Sequence, residues 1–464
     1  MTVMKTETQD QQPEARLREL LRGRTVAAQT LGCKTNYYET QAILARLRAL
    51  GCREVPFDQP ADIYLINTCT VTGEAGRKSG QMVRQARRRN ARAVIAALGC
   101  QVESGANLEA ADLLIGTQGK SKVAEALAAH LAGLPDSAYL PDNGASNGNN
   151  PIYEELGTWG RQEETRAVLK IQDGCNNFCS YCAIPLARGR SRSRLETAIL
   201  AEAEHLADAG FQEIVLTGIH ICSYGLDLGL DETALPRLLL KLADIPGVKR
   251  LRLGSVEPYS VTPSFAEVLA SVPKLCPHVH LSLQSGSSRT LRRMNRKYDA
   301  LTYEASAARL AQALPGLNLT TDIIVGFPGE TEADHQDSLA FCRGIGFGKI
   351  HVFRYSARAG TRAASFPDQV SPEVAAARSR DFQALSQALW SRRAAGRVGQ
   401  TEEVLLEQQL APNEWQGYTR CYENTNVRLA DGRMGANGQI LPVCLTGYNR
   451  QALLAVPQSD PSII

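Results

Sequence analysis

The chain has 464 residues, 44% of them hydrophobic and 21% charged, with a net charge of +3; this globular composition excludes a disordered, collagenous or coiled-coil protein. No stretch reaches the roughly 18 consecutive apolar residues of a membrane span, and the polar start MTVMKTETQDQQPEARLREL lacks the apolar segment of a secretory signal, so a cytoplasmic protein without a membrane partner is expected. Twelve cysteines in that setting point to metal binding, catalysis or inert burial rather than disulfides.

Residues 24–132 alternate short apolar runs with helical stretches. Val26–Leu31, Ile63–Asn67 and Ala93–Leu98 read as buried strands, with helices over Tyr38–Ala49 and Gly76–Asn90, which predicts a parallel α/β sheet. Residues 133–162 are rich in Gly, Pro, Asn and Ser and read as a linker. Residues 163–395 return to β/α alternation, with strands expected at Ala167–Gln172, Glu213–Ile219, Arg250–Val256, His278–Gln284, Thr320–Gly326 and Ile350–Tyr355. Six βα units predict a partial (β/α)6 barrel rather than a closed eight-stranded one, followed by a long helix over residues 372–398. Residues 396–460 carry short strands broken by Gly and Asn, which suggests a small antiparallel β-barrel.

Two sets of cysteines carry chemistry. Cys175, Cys179 and Cys182 lie on the loop after the first strand of the barrel-like segment, and chance gives this spacing in only about one chain in a hundred. Three thiolates on one loop can hold three irons of a cubane cluster and leave the fourth open. A structural zinc ion is the other reading, but it needs a fourth ligand, and no His or fourth Cys lies close in sequence. Cys33, Cys69 and Cys100 each follow a predicted strand of the N-terminal segment, and strand C-termini of an open parallel sheet face one crevice. Convergence on a second cluster and burial as small hydrophobes both remain open for them. Cys52 follows a helix C-cap and enters a strand, so it stands outside the set.

The run DGCNNFCSYC resembles the radical S-adenosylmethionine (SAM) superfamily. Together with TLGCKTN, INTCTVT, ALGC, HLSLQSGS and TDIIVGFPGET, it makes residues 24–460 similar to the methylthiotransferase family. The resemblance implies two 4Fe-4S clusters and SAM as cofactors. Cys175, Cys179 and Cys182 would hold the cluster whose open iron takes SAM, and Cys33, Cys69 and Cys100 an auxiliary cluster that carries the sulfur. It also implies two uses of SAM, as methyl donor and as radical source, an external electron donor of flavodoxin or ferredoxin type, and an N-terminal crevice that caps the barrel mouth. Tyr181 holds the position that packs near adenine, and strand ends supply Thr217, Gly218, Ser255, Glu257, Gln284, Ser285 and Gly326 as SAM-site candidates, with Asp322 from within the fifth strand. No catalytic acid or base is assigned.

Three basic runs, Arg77–Arg92, Arg188–Arg194 and Arg289–Lys297, read as solvated faces or as phosphate-binding patches. The C-terminal segment resembles the TRAM domain, an RNA carrier. The RNA-contact candidates are therefore Arg84, Arg87, Arg88, Arg89, Arg188, Arg190, Arg192 and Arg194, with Trp415 and Tyr418 as stacking aromatics. The segments TLGCK, CAIPLARGRSRSR and RLGSVEP look like the branch acting on threonylcarbamoyladenosine at position 37 of tRNA. The alternatives are the branches acting on isopentenyladenosine in tRNA or on an aspartate of a ribosomal protein. Leu186 replaces the aromatic common in the first branch, and Cys222 is an extra cysteine. A cobalamin-dependent methyltransferase would leave the N-terminal cysteines without a job, and an iron–sulfur RNA-binding module would bind iron without cleaving SAM.

Overall fold

The computed structural model describes residues 11–70, 73–106, 108–134, 152–156, 165–430 and 434–458. In the N-terminal segment five strands form one parallel sheet in the order Arg53–Glu54, Thr25–Thr30, Ile63–Thr68, Val94–Gly99, Leu113–Ile115. The two strands Ile63–Thr68 and Val94–Gly99 are buried at every position, as expected where helices cover both faces. One face packs Leu44, Leu47, Leu65 and Leu127, and the other packs Val83, Ala86, Ile66 and Ile95. The two edge strands have two and three residues and escaped the sequence reading because no apolar period can show over that length.

The core carries all six expected strands, in two parallel sheets: Arg250–Leu253, Glu213–Thr217 and Ala167–Lys170 in one, and Ser255–Val256, His278–Leu281, Asn318–Val325 and Lys349–Arg354 in the other. The third expected strand breaks at Gly254 and passes from one sheet to the other. An open edge remains between Ala167–Lys170 and Lys349–Arg354, so the barrel is partial. The helix Pro372–Ala395 starts on a Ser371 side chain that accepts from the Val374 N–H, with Pro372 preset for the first turn, and it packs on Lys349–Arg354 beside that edge.

The C-terminal strands Thr401–Ala411, Glu414–Thr419, Asn424–Arg428, Leu453–Pro457 and Ile440–Tyr448 close into a barrel. All its pairings are antiparallel except Asn424–Arg428 with Leu453–Pro457, which is parallel. Burial alternates along Glu414–Thr419, which places Trp415 in the barrel core with Val404, Val427 and Val443. The barrel docks on the core through Arg166–Glu407 at 2.6 Å, through Arg250 to the Glu403 carbonyl at 2.9 Å, and through Asn318 to the Cys421 carbonyl at 2.8 Å. Residues 152–156 of the expected linker lie across the junction of the first two units. Glu154 accepts from the Ser121 hydroxyl at 2.7 Å, and Glu155 pairs with Arg194 at 2.8 Å.

Candidate active site

Cys33, Cys69 and Cys100 leave three neighbouring strands of the N-terminal sheet. Cys33 caps the helix Lys34–Ala49, and Cys100 opens the short helix Cys100–Glu103. Gly32 has φ +102°, and a Cβ there would lie 2.6 Å from Cys69 Cβ and Sγ, so only glycine lets the first loop close onto the second cysteine. Asn36 ties the two loops by donating to the carbonyls of Leu31 and Thr68 at 2.8 and 2.9 Å. Burial pushes the Cys100 thiol up, while Arg188 and Lys120 pull it back. Cys52 is buried elsewhere, with its thiol 3.3 Å from the Leu21 carbonyl.

In the core, burial raises Cys175 to about 11 and Cys182 to about 12, and the adjacent Cys179 adds to both. Each triplet has one arginine on a sulfur: Arg188 Nε donates to Cys100 Sγ, and Arg296 Nη1 to Cys179 Sγ, both at 3.2 Å. Such charge-assisted donors favour the thiolate that a cluster needs. Among the described residues no group of three or more His, Cys, Asp or Glu could hold one metal ion.

Arg188 also anchors a buried ion network. Its guanidinium donates to Glu39 at 2.8 Å, to Asp173 at 3.0 Å and to Asn36 at 2.6 Å. Lys170 bridges Glu39 and Asp173 at 2.8 Å each, Arg192 adds a contact to Asp173 at 3.0 Å, and Lys120 pairs with Glu39. Four cations thus face two carboxylates, and a cluster-bound Cys100 thiolate would offset part of the excess. Asn36, Glu39, Cys100 and Lys120 belong to the N-terminal unit and Lys170, Asp173, Arg188 and Arg192 to the core, so the network ties the first triplet to the barrel.

A cavity of about 1070 Å³ runs along the barrel lumen. Cys33 and Lys34 line it at the N-terminal unit, Thr217, Gly218, Ser255 and Asp322 on the barrel strands, and Tyr418 and Tyr422 at the C-terminal barrel. The volume exceeds the usual range for a single small ligand.

Comparison with known proteins adds the family. Residues 169–342 match the model of the Radical SAM superfamily, and residues 25–115 that of the uncharacterized protein family UPF0004. Threonylcarbamoyladenosine tRNA methylthiotransferase MtaB of Bacillus subtilis is 41% identical over 86% of this chain and 89% of its own length. A tRNA-2-methylthio-N(6)-dimethylallyladenosine synthase of Nitratidesulfovibrio vulgaris is 34% identical over 94% and 99%. The chain belongs to the radical SAM tRNA methylthiotransferase family. Among solved structures, the radical SAM methyltransferase TsrM of Kitasatospora setae shares the fold with a TM-score of 0.54 at 15% identity, over 74% of this chain and 77% of that one. Radical SAM methylthiotransferases use SAM and 4Fe-4S clusters, and the two triplets have the donor chemistry for them.

Within this methylthiotransferase the candidate SAM residues divide. Thr217, Gly218, Ser255 and Asp322 share the lumen. Tyr181 is half-buried against Phe327, ring centres 6.5 Å apart, beside the cysteine loop. Glu257 pairs with Arg296 and so acts on Cys179 through that arginine. Three further candidates make contacts within the fold. Ser285 is buried, with its hydroxyl 3.1 Å from that of Ser338. Gln284, with φ +72°, serves the sheet through its backbone, donating to the Asp322 carbonyl at 2.9 Å. The Gly326 N–H goes to the buried Glu330 carboxylate at 2.6 Å, and a Cβ there would lie 2.7 Å from Ala375.

The RNA candidates divide too. Arg188, Arg192 and Arg194 are interior, Arg194 pairing with Glu202 and Glu155, and Arg87 locks onto Asp112 at 2.6 Å. Their guanidiniums answer carboxylates and are not presented to phosphates; Trp415 is likewise a core residue. Arg84, Arg88 and Arg190 are exposed, Arg89 lies over Phe57 at 5.0 Å, and Tyr418 stacks on Tyr422 at 4.8 Å. The sequence reading missed His278, His280, His351 and Thr320, which line the lumen; His280 lies 3.4 Å from Asp322. The alternation in His278-Val-His280-Leu281 was the available signal, since positions i and i+2 of a strand share a face. Among the described residues no helix is long and apolar enough to cross a membrane.

Proposed function

We propose that this enzyme converts N6-threonylcarbamoyladenosine in tRNA to its 2-methylthio derivative. One observation carries the reading beyond the relatives' names: a single cavity is lined both by Cys33, from the N-terminal triplet, and by Thr217, Gly218, Ser255 and Asp322 of the barrel. A base entering it would meet residues of both the N-terminal unit and the barrel. SAM and the two clusters, when bound, supply the radical, the methyl group and the sulfur.

The chain's residues do the rest. Cys175, Cys179 and Cys182 would hold the cluster that takes SAM, with Arg296 on Cys179 and Glu257 holding Arg296. Cys33, Cys69 and Cys100 would hold the auxiliary cluster, with Arg188 on Cys100. Thr217, Gly218, Ser255 and Asp322 would position SAM. Exposed Arg84, Arg88 and Arg190 are available to tRNA phosphates, and the electron comes from a carrier of flavodoxin or ferredoxin type.

Mass spectrometry of tRNA nucleosides tests the reading, in a strain lacking the protein and complemented with wild type or Cys33→Ala. Loss of 2-methylthio-threonylcarbamoyladenosine, restored only by wild type, is expected. Loss of the dimethylallyladenosine derivative instead would favour the second reading, which the 34% identity over 94% of the chain keeps in view. An unchanged profile would move the substrate to the ribosomal protein.

A further inference from the structure

Arg358 is a cation that its surroundings do not explain. It follows the last barrel strand, Lys349–Arg354, in a turn whose other members Ser356, Ala357, Ala359 and Gly360 are exposed. The Thr361 N–H and hydroxyl close that turn by donating to the Arg358 carbonyl at 3.1 and 2.8 Å. A guanidinium on an exposed turn can stand in water. This one folds inward instead, and its Nε and Nη2 are buried with no hydrogen-bond partner among the described residues. The nearby Tyr355 hydroxyl is buried and unpartnered in the same way. Dry donors cost free energy that a bound acceptor recovers. Burial holds the guanidinium below its ordinary value, and Cys69 and Tyr355 pull it back, with no carboxylate among them.

Geometry narrows the acceptor. Nε and Nη2 form one edge of the planar guanidinium, the edge that meets two oxygens of a carboxylate or phosphate at once. The segment runs past the core triplet: the Ala363 N–H donates to the carbonyl of Ser180 at 2.8 Å, and Tyr355 packs on Phe327, ring centres 5.4 Å apart. The guanidinium itself feels Cys69 of the N-terminal triplet and none of the core cysteines. The acceptor therefore arrives where the base must come for its sulfur. We infer that Arg358, with the Tyr355 hydroxyl, binds an oxyanion of the tRNA substrate, either the carboxylate of the threonylcarbamoyl group or a phosphate flanking the modified nucleoside; this rests on the substrate reading above.

The anaerobic holoenzyme is titrated with anticodon stem-loop RNAs that carry threonylcarbamoyladenosine, its carboxamide analogue, or a methylphosphonate at either flanking linkage. The Kd of each RNA and of SAM, kcat/KM and the melting transition are measured for wild type, Arg358→Gln, Arg358→Lys and Tyr355→Phe. Arg358→Gln should weaken the unaltered RNA by about 10- to 100-fold, the range of a hydrogen bond to a charged group, and Arg358→Lys should restore only part. Tyr355→Phe should cost about 2- to 10-fold. Neither Arg358→Gln nor Tyr355→Phe should melt below wild type, because the atoms removed have no partner to lose. One neutral RNA should bind wild type as weakly as the unaltered RNA binds Arg358→Gln, and lose nothing further in that variant. The carboxamide in that role identifies the carboxylate, a methylphosphonate the phosphate. Unchanged RNA affinity in Arg358→Gln and Tyr355→Phe overturns the inference. So does a loss that no neutral RNA absorbs, or a loss confined to SAM. If wild type modifies only an RNA carrying dimethylallyladenosine, the substrate reading falls and the carboxylate with it, and methylphosphonates in that RNA decide the phosphate by the same comparison.

Discussion

Replacing Glu39 with glutamine should destabilise the protein by about 3–5 kcal/mol, the usual cost of breaking a buried ion pair from one side. Glu39 is 1% exposed and meets Lys120, Lys170 and Arg188, which are no more than 6% exposed. Its loss leaves Asp173 as the one carboxylate of the network facing four buried cations, and the new amide aims N–H donors at N–H donors. For a cooperative unit the size of the core, at about 2–4 °C per kcal/mol, the melting transition should fall by roughly 6–20 °C. The control is Glu196→Gln, whose pair with Lys241 is 40–52% exposed and should matter by under about 1 kcal/mol. Differential scanning calorimetry of the anaerobic holoenzyme measures both. If Glu39→Gln melts no lower than Glu196→Gln, the network is not a stability determinant and the reasoning fails. Burial alone would push the Glu39 carboxyl up, but Arg188, Lys120 and Lys170 outweigh it and hold it well below the usual range. Its contribution is therefore present above the unfolded value of about 4.3 and lost as pH falls below it, so wild type and variant should converge in acid.

Further outcomes follow from the same geometry. Cys33→Ala, Cys69→Ala and Cys100→Ala combined should reduce bound iron from about eight to about four atoms per chain while SAM cleavage persists, as read by iron assay and deoxyadenosine release; complete loss of cleavage would refute separate clusters. Arg296→Met should lower the midpoint potential of the cluster on Cys175, Cys179 and Cys182 by on the order of tens of millivolts, because it removes a buried positive donor from Cys179. An EPR-monitored redox titration that shows no shift would remove Arg296 from that role. Burial and then Arg252 hold His278 well below its ordinary value, so it stays neutral in the folded lumen. Stability should be full above about pH 6.5 and fall below it by up to about 1.4 kcal/mol per unit, as the unfolded chain takes up the proton first. His278→Gln should flatten that slope in denaturant titrations at about pH 5.5 and 7.5, on either side of the unfolded value.

The legible parts of this protein were those written in local pattern. Apolar runs such as Ile63–Thr68 and Val94–Gly99 named central strands because both sheet faces are covered, and the six core strands followed from the same signal. Cys175, Cys179 and Cys182 share one short loop, so their grouping survives any packing. Cys33, Cys69 and Cys100 could be grouped because parallel strands end at one side of a sheet. Tertiary structure alone decided what the arginines do. Arg188 stands 149 residues from Glu39, and a run of Arg-Gly-Arg-Ser-Arg reads as a solvated or phosphate-binding patch until the carboxylates that offset its desolvation are in place. The lumen was equally hidden, since Lys34, His278, Asp322 and Tyr422 come from four distant segments. Sequence periodicity reports which face of an element is buried, not what is buried against it. Charge pairing and cavity lining are set by that second quantity, and only the closed fold supplies it.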